Sequence, residues 1–415
     1  MKIAGLIAEY NPFHKGHLYH MEKAKEITGA DCCIAVMSGN YVQRGAPAVF
    51  DKYLRARMAL SCGLDMILEL PVHFACGSAE YFASGAVSLL NQLGCIDYLC
   101  FGSESGSLQL FGEISALLAE ESSFYRDALQ NGLRRGLSFP AARKLAIFDC
   151  AQKKEISSAD NELEEFLSSP NNILGLEYCK AIIRQKASIL PVTITRKGCG
   201  YHSPKTGDSF SSASAIRSLL EKGDSISDAN PSMPLSAYDL MVNHLYLNGP
   251  VTADDFSLLL KYKLMEEQQG SLMEYWDMTE ELASRIYRHL NSFTSYTGFV
   301  RLLKTKDLTY TRISRALLHT VLGIQKDTLP DRAKYARILG FGKNTTALKA
   351  IKNHTAIPII TKAADAPRLL DPEALPLWEQ DIHAANLYET VAAHKFQRKF
   401  VHEYQQGLIL PSAVP

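Results

Sequence analysis

Short apolar runs alternate with amphipathic stretches through the first half of the chain. Lys2 to Ala8, Cys32 to Met37, Met66 to Leu70, Tyr98 to Phe101 and Leu190 to Thr195 each carry the length and apolar content of a buried strand. Between the first two runs, His17 to Thr28 has the spacing of a helix, and Asp51 can cap another whose Leu54, Met58 and Leu60 fall near one face. Strand, helix and strand in this order predict an α/β fold with a parallel sheet and crossover helices. The polar, acidic stretch 150–170, ending at Ser169-Pro170, predicts a helix and a connection.

The pattern changes after the helix expected over Ala215 to Lys222. Gly, Asp, Ser, Asn and Pro cluster between Gly223 and Pro234, which marks a boundary. From Leu235 to about Asn353 the periodicity predicts helices, and Trp378 to Tyr404 predicts one or two closing helices. The expected division is residues 1–223, 224–370 and 371–415. Trp276, Trp378, Leu317, Leu318 and Leu322 are expected in cores.

Composition narrows the classes. A chain of 415 residues, 47% hydrophobic and 21% charged, supports two or three ordinary cores. Its net charge is zero, so binding to a polyanion requires local asymmetry. Nine cysteines without a CxxC pair predict reduced core thiols and no structural zinc. No basic start with an apolar run, and no apolar segment near the roughly 18 residues of a membrane span, predicts a cytoplasmic protein without a membrane partner.

Candidate chemistry is concentrated at Glu9-Tyr10-Asn11-Pro12-Phe13-His14-Lys15-Gly16-His17, where the first strand hands over to the first helix. Ligands of parallel α/β sheets bind beyond the carboxyl ends of strands, and a helix N-terminus presents free N–H groups to phosphate. Gly16 admits close approach of the backbone. His14 and His17 can donate hydrogen bonds to phosphate oxygens whose charge grows during attack at an α-phosphorus. Helix capping is the plainer reading of these histidines; a zinc pair lacks a third ligand at a recognisable spacing.

The His14-Lys15-Gly16-His17 element resembles the HxGH signature of the nucleotidyltransferase superfamily. Together with Gly5 to His20, the stretches Met37-Ser38-Gly39-Asn40-Tyr41-Val42-Gln43-Arg44-Gly45, Pro170-Asn171-Asn172-Ile173-Leu174-Gly175 and Ser211-Ser212-Ala213-Ser214-Ala215-Ile216-Arg217 are similar to the bacterial tRNA(Met) cytidine acetate ligase family. The resemblance implies a Rossmann-like parallel-sheet nucleotidyltransferase domain followed by a mainly helical domain. It implies that acetate attacks ATP to give acetyl-adenylate, and that the exocyclic amine of the wobble cytidine of elongator tRNA(Met) then takes the acetyl group. ATP is thus the expected nucleotide, with Mg2+ accompanying it, and no residue is assigned as a metal ligand.

On this reading His14 and His17 are catalytic. ATP is expected against Ile7, Ala8, Glu9, Tyr10, Asn11, Pro12, Phe13, His14, Lys15, Gly16, His17, Leu18, Tyr19 and His20, with Gly102, Arg196 and either or both of Asn171 and Asn172; Lys197 is a less secure companion. Ser38, Gly39, Asn40, Gln43 and Arg44 follow the second strand toward the same cleft. Ser212, Ser214 and Arg217 resemble the second phosphate clamp of these enzymes, though a Ser-rich N-cap is the plainer reading of that segment. The clamp departs from the lysine-rich loop of the related aminoacyl-tRNA synthetases.

Residues 301–352 hold twelve Lys or Arg against three acids, a local excess suited to a phosphate backbone. Arg312 and Arg315 are the chosen RNA contacts, with Tyr310 and Tyr335 placed to stack on bases. A solvated helix face is the plainer reading. Two other functions fit the motif: a nucleotidyltransferase acting on a small phosphorylated metabolite, and an RNA-binding protein without catalysis.

Overall fold

All five expected strands form and lie side by side. The computed structural model describes residues 1–154, 160–196, 212–267 and 269–410. In it the strands are β1 (Ile3–Ala8), β2 (Cys32–Ser38), β3 (Met66–Leu70), β4 (Tyr98–Ser103) and β5 (Leu190–Thr195). They run parallel, with β1 between β2 and β4. β2 and β3 are buried along their whole length. Their side chains alternate between two cores: Ile34 and Val36 join one, and Cys33, Ala35 and Met37 join the other.

One expectation fails. Ala336–Phe341, inside the stretch read as helical, is a sixth sheet strand, β6, and Ile359–Ile360 is a seventh, β7. The sheet order is β5-β4-β1-β2-β3-β6-β7, with β6 antiparallel to β3. A run of six residues, five of them buried, is too short for its periodicity to distinguish strand from helix, and pairing with the open edge of β3 decides the matter. The chain after residue 234 is otherwise mainly helical, around a separate core that includes Leu317, Leu318 and Leu322. Trp378 is fully buried as expected; Trp276 is partly buried, stacked on His319.

Six helices bear on the argument: α1 (Lys15–Thr28), α2 (Lys52–Ser61), α3 (Pro170–Arg184), α4 (Ala213–Lys222), α5 (Tyr310–Leu322) and α6 (Leu375–Lys395). Asp51 caps α2 through the Leu54 amide at 2.9 Å. Successive strands are added on one side of β1 as β2 and β3 and on the other as β4 and β5. The order therefore reverses between β1 and β4, and the crevice beyond their carboxyl ends is where such sheets bind ligands. No helix among the described residues is long and apolar enough to cross a membrane, and the eight cysteines among them are free thiols.

Candidate active site

β1 ends at Ala8, and six residues turn the chain into α1. Tyr10 takes φ 45°, the Asn11–Pro12 peptide is cis, and His14 becomes the N-cap of α1. The Gly16 amide donates to His14 Nδ1 at 2.9 Å, while the His14 amide donates to His17 Nδ1 at 3.3 Å. This is a capping box in which two imidazoles replace the usual hydroxyl and carboxylate. The capping reading and the functional reading of these histidines are therefore compatible. Because each Nδ1 accepts, each neutral ring carries its proton on Nε2, where it can be donated to a ligand. Gly16 is required by the fold of the His14 ring over the turn: a Cβ there would lie 2.7 Å from His14 Cε1.

The two rings stack with centroids 3.9 Å apart, and Tyr10 and Phe13 pack against His17 at 4.9 and 5.5 Å. Burial, reinforced by Arg196 and Arg217, lowers the His14 pKa to about 3. Burial, His14, His20 and Arg196 push His17 well below its ordinary value. His20, one turn further along α1, is lowered to about 4 by burial and Arg196, and its Nε2 is buried without a hydrogen-bond partner among the described residues. Near neutral pH the turn presents uncharged N–H donors. Lys15, Leu18 and Tyr19 share the half-buried first turns of α1, and Ile7, Ala8 and Glu9 lead into the turn from β1.

Cations approach from the neighbouring elements. Arg196 directly follows β5, its amide donates to Ser103 O at 3.0 Å, and its Cγ lies 3.4 Å from where a Cβ of Gly102 would stand. A Cβ at 102 would therefore be in ordinary contact with that side chain. Arg217 of α4 donates from Nη1 to Asn11 O at 2.8 Å and from Nη2 to Ser214 Oγ at 2.9 Å. Ser212 caps α4, accepting from Ala215 at 3.3 Å, so the N-cap reading of this segment also holds. Ser211 and Lys197 lie outside the described residues.

The loop after β2 faces the same edge. The Gln43 amide donates to Glu9 Oε1 at 2.9 Å, tying the two loops together, and Asn40 Oδ1 accepts from the Lys52 amide at 2.8 Å. Ser38 is buried and Arg44 is exposed. The second turn of α5 rests on this loop, with Ser314 Oγ donating to Gly45 O at 2.8 Å. One residue of this region escaped the sequence reading: Arg55, fully buried on α2, whose guanidinium reaches the carbonyls of Glu9, Ser38 and Gly39. A cation flanked by Leu54, Ala56 and Met58 on a buried helix was the available signal.

Other expected residues are separated by the structure. Asn172 is 1% exposed; its Oδ1 accepts from the Glu104 and Ser105 amides at 2.9 and 3.3 Å, and its Nδ2 donates to Phe166 O at 3.2 Å. Those bonds shape the loop after β4. Asn171, half-buried at the start of α3, donates to Glu104 Oε1 at 2.6 Å. Arg315 pairs with Asp277 at 2.8 Å. Tyr335 cannot stack on a base: it is 1% exposed and its hydroxyl donates to Asp381 at 2.7 Å. Arg337 is buried in an ion network.

The basic stretch is therefore not one surface. Arg301, Tyr310 and Arg312 lie around the start of α5, at the carboxyl edge of the sheet. The chain from Gly342 instead returns to the amino edge, where the Gly342 amide bonds Asp65 O at 2.9 Å and Asn344 bonds Asp31 O at 3.3 Å. Lys343, Lys349 and Lys352 are exposed on that far side.

Among the described residues, no group of three His, Cys, Asp or Glu side chains is placed to hold a metal ion. Comparison with known proteins agrees with the geometry. Residues 1–403 match the model of the HIGH Nucleotidyl Transferase family. A protein of Acetivibrio thermocellus called tRNA(Met) cytidine acetate ligase is 38% identical, over 99% of this chain and 100% of its own. One of the same name from Caldicellulosiruptor saccharolyticus is 41% identical, over 98% and 96%. The crystal structure of Thermotoga maritima TmcAL bound with alpha-thio ATP superposes with a TM-score of 0.90 at 31% identity, covering 99% of both chains. Its apo form gives 0.93 at the same identity and coverage. With a parallel sheet, a histidine-capped first helix and relatives matched from end to end, this chain belongs to the tRNA(Met) cytidine acetate ligase family of HIGH nucleotidyl transferases.

Proposed function

We propose that this protein activates acetate with ATP and transfers the acetyl group to the exocyclic amine of the wobble cytidine of elongator tRNA(Met). The observation that carries the site assignment is the double use of the His14 and His17 rings. Their Nδ1 atoms close the turn, and their Nε2–H groups are left as neutral donors at a helix N-terminus. The triphosphate docks at this turn, across the switch point from Gly102, with Arg196 and Arg217 approaching it. Asn171 is the better candidate of the asparagine pair, because the polar atoms of Asn172 already serve the loop. Ser38, Gly39, Asn40, Gln43 and Arg44 shape the acetate and RNA side of the cleft, and Ser212 and Ser214 hold Arg217 in place.

A carboxylate oxygen of acetate attacks the α-phosphorus, the bond to the bridging oxygen breaks, and pyrophosphate leaves. The protein's part is to align the reactants and to stabilise charge on phosphate oxygens with fixed donors. The cytidine amine then attacks the acyl carbon, and AMP departs with the electron pair of the broken acyl–oxygen bond. The described side chains make no cage for magnesium, so the Mg2+ expected with ATP would arrive on the triphosphate, and no step is assigned to it.

In this reading residues 1–223 form the catalytic unit, completed by β6, residues 224–370 contribute the RNA-facing turn of α5, and residues 371–415 close the structure. The protein acts in the cytoplasm, where its tRNA substrate is found. Acetate-dependent exchange of labelled pyrophosphate into ATP tests the first half. An acetyl mass increment on tRNA(Met) tests the second. Exchange with a phosphorylated metabolite but not with acetate would refute the proposal, as would tRNA binding without ATP turnover.

A further inference from the structure

α2 carries two buried cations on one face, three residues apart, and they are neutralised in different ways. Lys52 meets two carboxylates, Glu69 at 2.7 Å and Glu403 at 2.7 Å. Arg55, equally buried, is in no ion pair among the described residues; its partners are backbone carbonyls. Nε donates to Phe50 O at 2.9 Å, Nη1 to Glu9 O at 2.5 Å and Ser38 O at 3.2 Å, and Nη2 to Gly39 O.

These carbonyls occupy particular places. Glu9 is the first residue after β1, and Ser38 and Gly39 span the end of β2, so one planar fork grips both strands where each releases its loop into the site. The first loop carries His14 and His17, and the second carries Asn40 to Gly45. Four carbonyl dipoles satisfy the donors of Arg55, and Asp51, Glu9 and Glu69 act on its charge without pairing with it, beside a cleft that must receive a polyanion. An apolar side chain of similar size would leave these carbonyls without donors. The guanidinium does what such a side chain cannot: it fixes the separation of two loop origins.

We propose that Arg55 is a positioning residue for adenylate formation, setting the distance between the His14–His17 turn and the loop after β2. The inference rests on the acetate-activating reading above. Lysine retains the charge but offers a single point donor in place of a fork. A displacement of about 1 Å at reacting groups can cost on the order of 100-fold in rate.

The test is acetate-dependent pyrophosphate exchange by the full chain, with ATP affinity from calorimetry and thermal melting for fold. Arg55→Lys and Arg55→Gln are run beside Leu317→Ala, which removes a fully buried side chain from the helical core. The parent is assayed first, since its failure to exchange with acetate would sink the acetate reading itself. Given an active parent, Arg55→Lys should bind ATP within about threefold of the parent while kcat falls about 100-fold, and Leu317→Ala should keep its kcat at temperatures where it is folded. The assignment is overturned by a folded Arg55→Lys whose kcat stays within threefold of the parent, or by kcat losses that follow melting temperature across all three variants. Loss of fold in both Arg55 variants overturns it as well, by making the residue a determinant of the core.

Discussion

The two polar regions flanking α2 differ in how completely their charges are balanced. On the β3 side, Lys52, Arg337, Glu69 and Glu403 form a closed set, with four contacts between 2.6 and 3.1 Å and the Tyr53 hydroxyl donating to Glu403 at 2.8 Å. Two cations face two anions, nearly out of reach of water. Burial alone would raise the Glu403 pKa, but Lys52 and Arg337 outweigh it and hold the group at about 2. On the β1 side, Arg196 and Arg217 act on neutral histidines while Arg55 holds the origins of the two loops, and one of those histidines has a buried nitrogen with no hydrogen-bond partner among the described residues. The closed set fastens the chain after α6 to the sheet. The open set has donors and positive charge to spare, which is the complement of a nucleotide triphosphate.

Breaking the closed set should produce the largest effect, and it should be one of stability. Glu403→Ala leaves Lys52 and Arg337 sharing a single carboxylate; removing one partner of a buried pair costs about 3–5 kcal/mol. Urea unfolding should show that loss, while kcat for pyrophosphate exchange, measured where the variant is folded, stays near the parent value. A variant as stable as the parent would mean that the network does not hold the C-terminal segment.

Opening the other set further should do the reverse. His17→Ala removes one donor to the developing phosphate charge, worth roughly 100- to 1000-fold in rate by analogy with oxyanion donors. Melting temperature should move little, because His14 still caps α1 through Gly16. Parental exchange rates in the variant would remove His17 from the chemistry.

This contrast also explains what the sequence could reveal. β1 to β5 were legible because each is a short apolar run in a series of local βα units, even though β5 at the sheet edge buries only Ile194, and the His14–His17 turn because strand, turn and helix are adjacent in the chain. β6 was not: its strand character comes from pairing with β3, some 270 positions earlier, and the register Glu69 opposite Arg337 creates the ion pair that hides a cation counted as RNA-facing. Tyr335 was misread for the same reason, since Asp381 is brought to it only by folding, as Asp277 is to Arg315. Arg55 left almost no trace, because its partners are carbonyl oxygens, which every residue has.

The pH dependence of stability should carry a smaller signature of the open set. His14 and His20 have folded pKa values of about 3 and about 4 against 6.5 when unfolded. The unfolded chain therefore takes up protons first: the contribution of these groups is complete above pH 6.5 and declines as pH falls toward 4 and 3. Asp381, raised to about 7 by burial and Glu69, works in the opposite sense, losing stability as pH rises through that range. Each shifted group contributes about 1.4 kcal/mol per pH unit within its window. His20→Gln should therefore lose about 1–2 kcal/mol less than the parent between pH 6.5 and 5 in urea titrations. Identical acid limbs would show that His20 does take up a proton in the folded state.

The smallest effect should appear at the RNA surface, where the comparison can be made within one helix. Arg312 and Arg315 lie three residues apart on α5, but among the described residues only Arg315 has a carboxylate partner, Asp277 at 2.8 Å. A charge already paired releases few counterions when RNA binds. The start of α5 also lies close to the catalytic side: the Tyr310 hydroxyl, its pKa raised mainly by burial, feels both Arg301 and Glu221 of α4, the helix that carries Arg217. Arg312→Ala should thus weaken tRNA binding a few-fold and reduce the slope of log affinity against log salt by about 0.7–0.9, the share of one phosphate contact. Arg315→Ala should leave that slope unchanged while lowering stability by about 1 kcal/mol or less, the usual worth of a partly exposed pair. Filter-binding assays at several salt concentrations separate the two, and a slope altered by Arg315→Ala but not by Arg312→Ala would reverse the assignment of the RNA face.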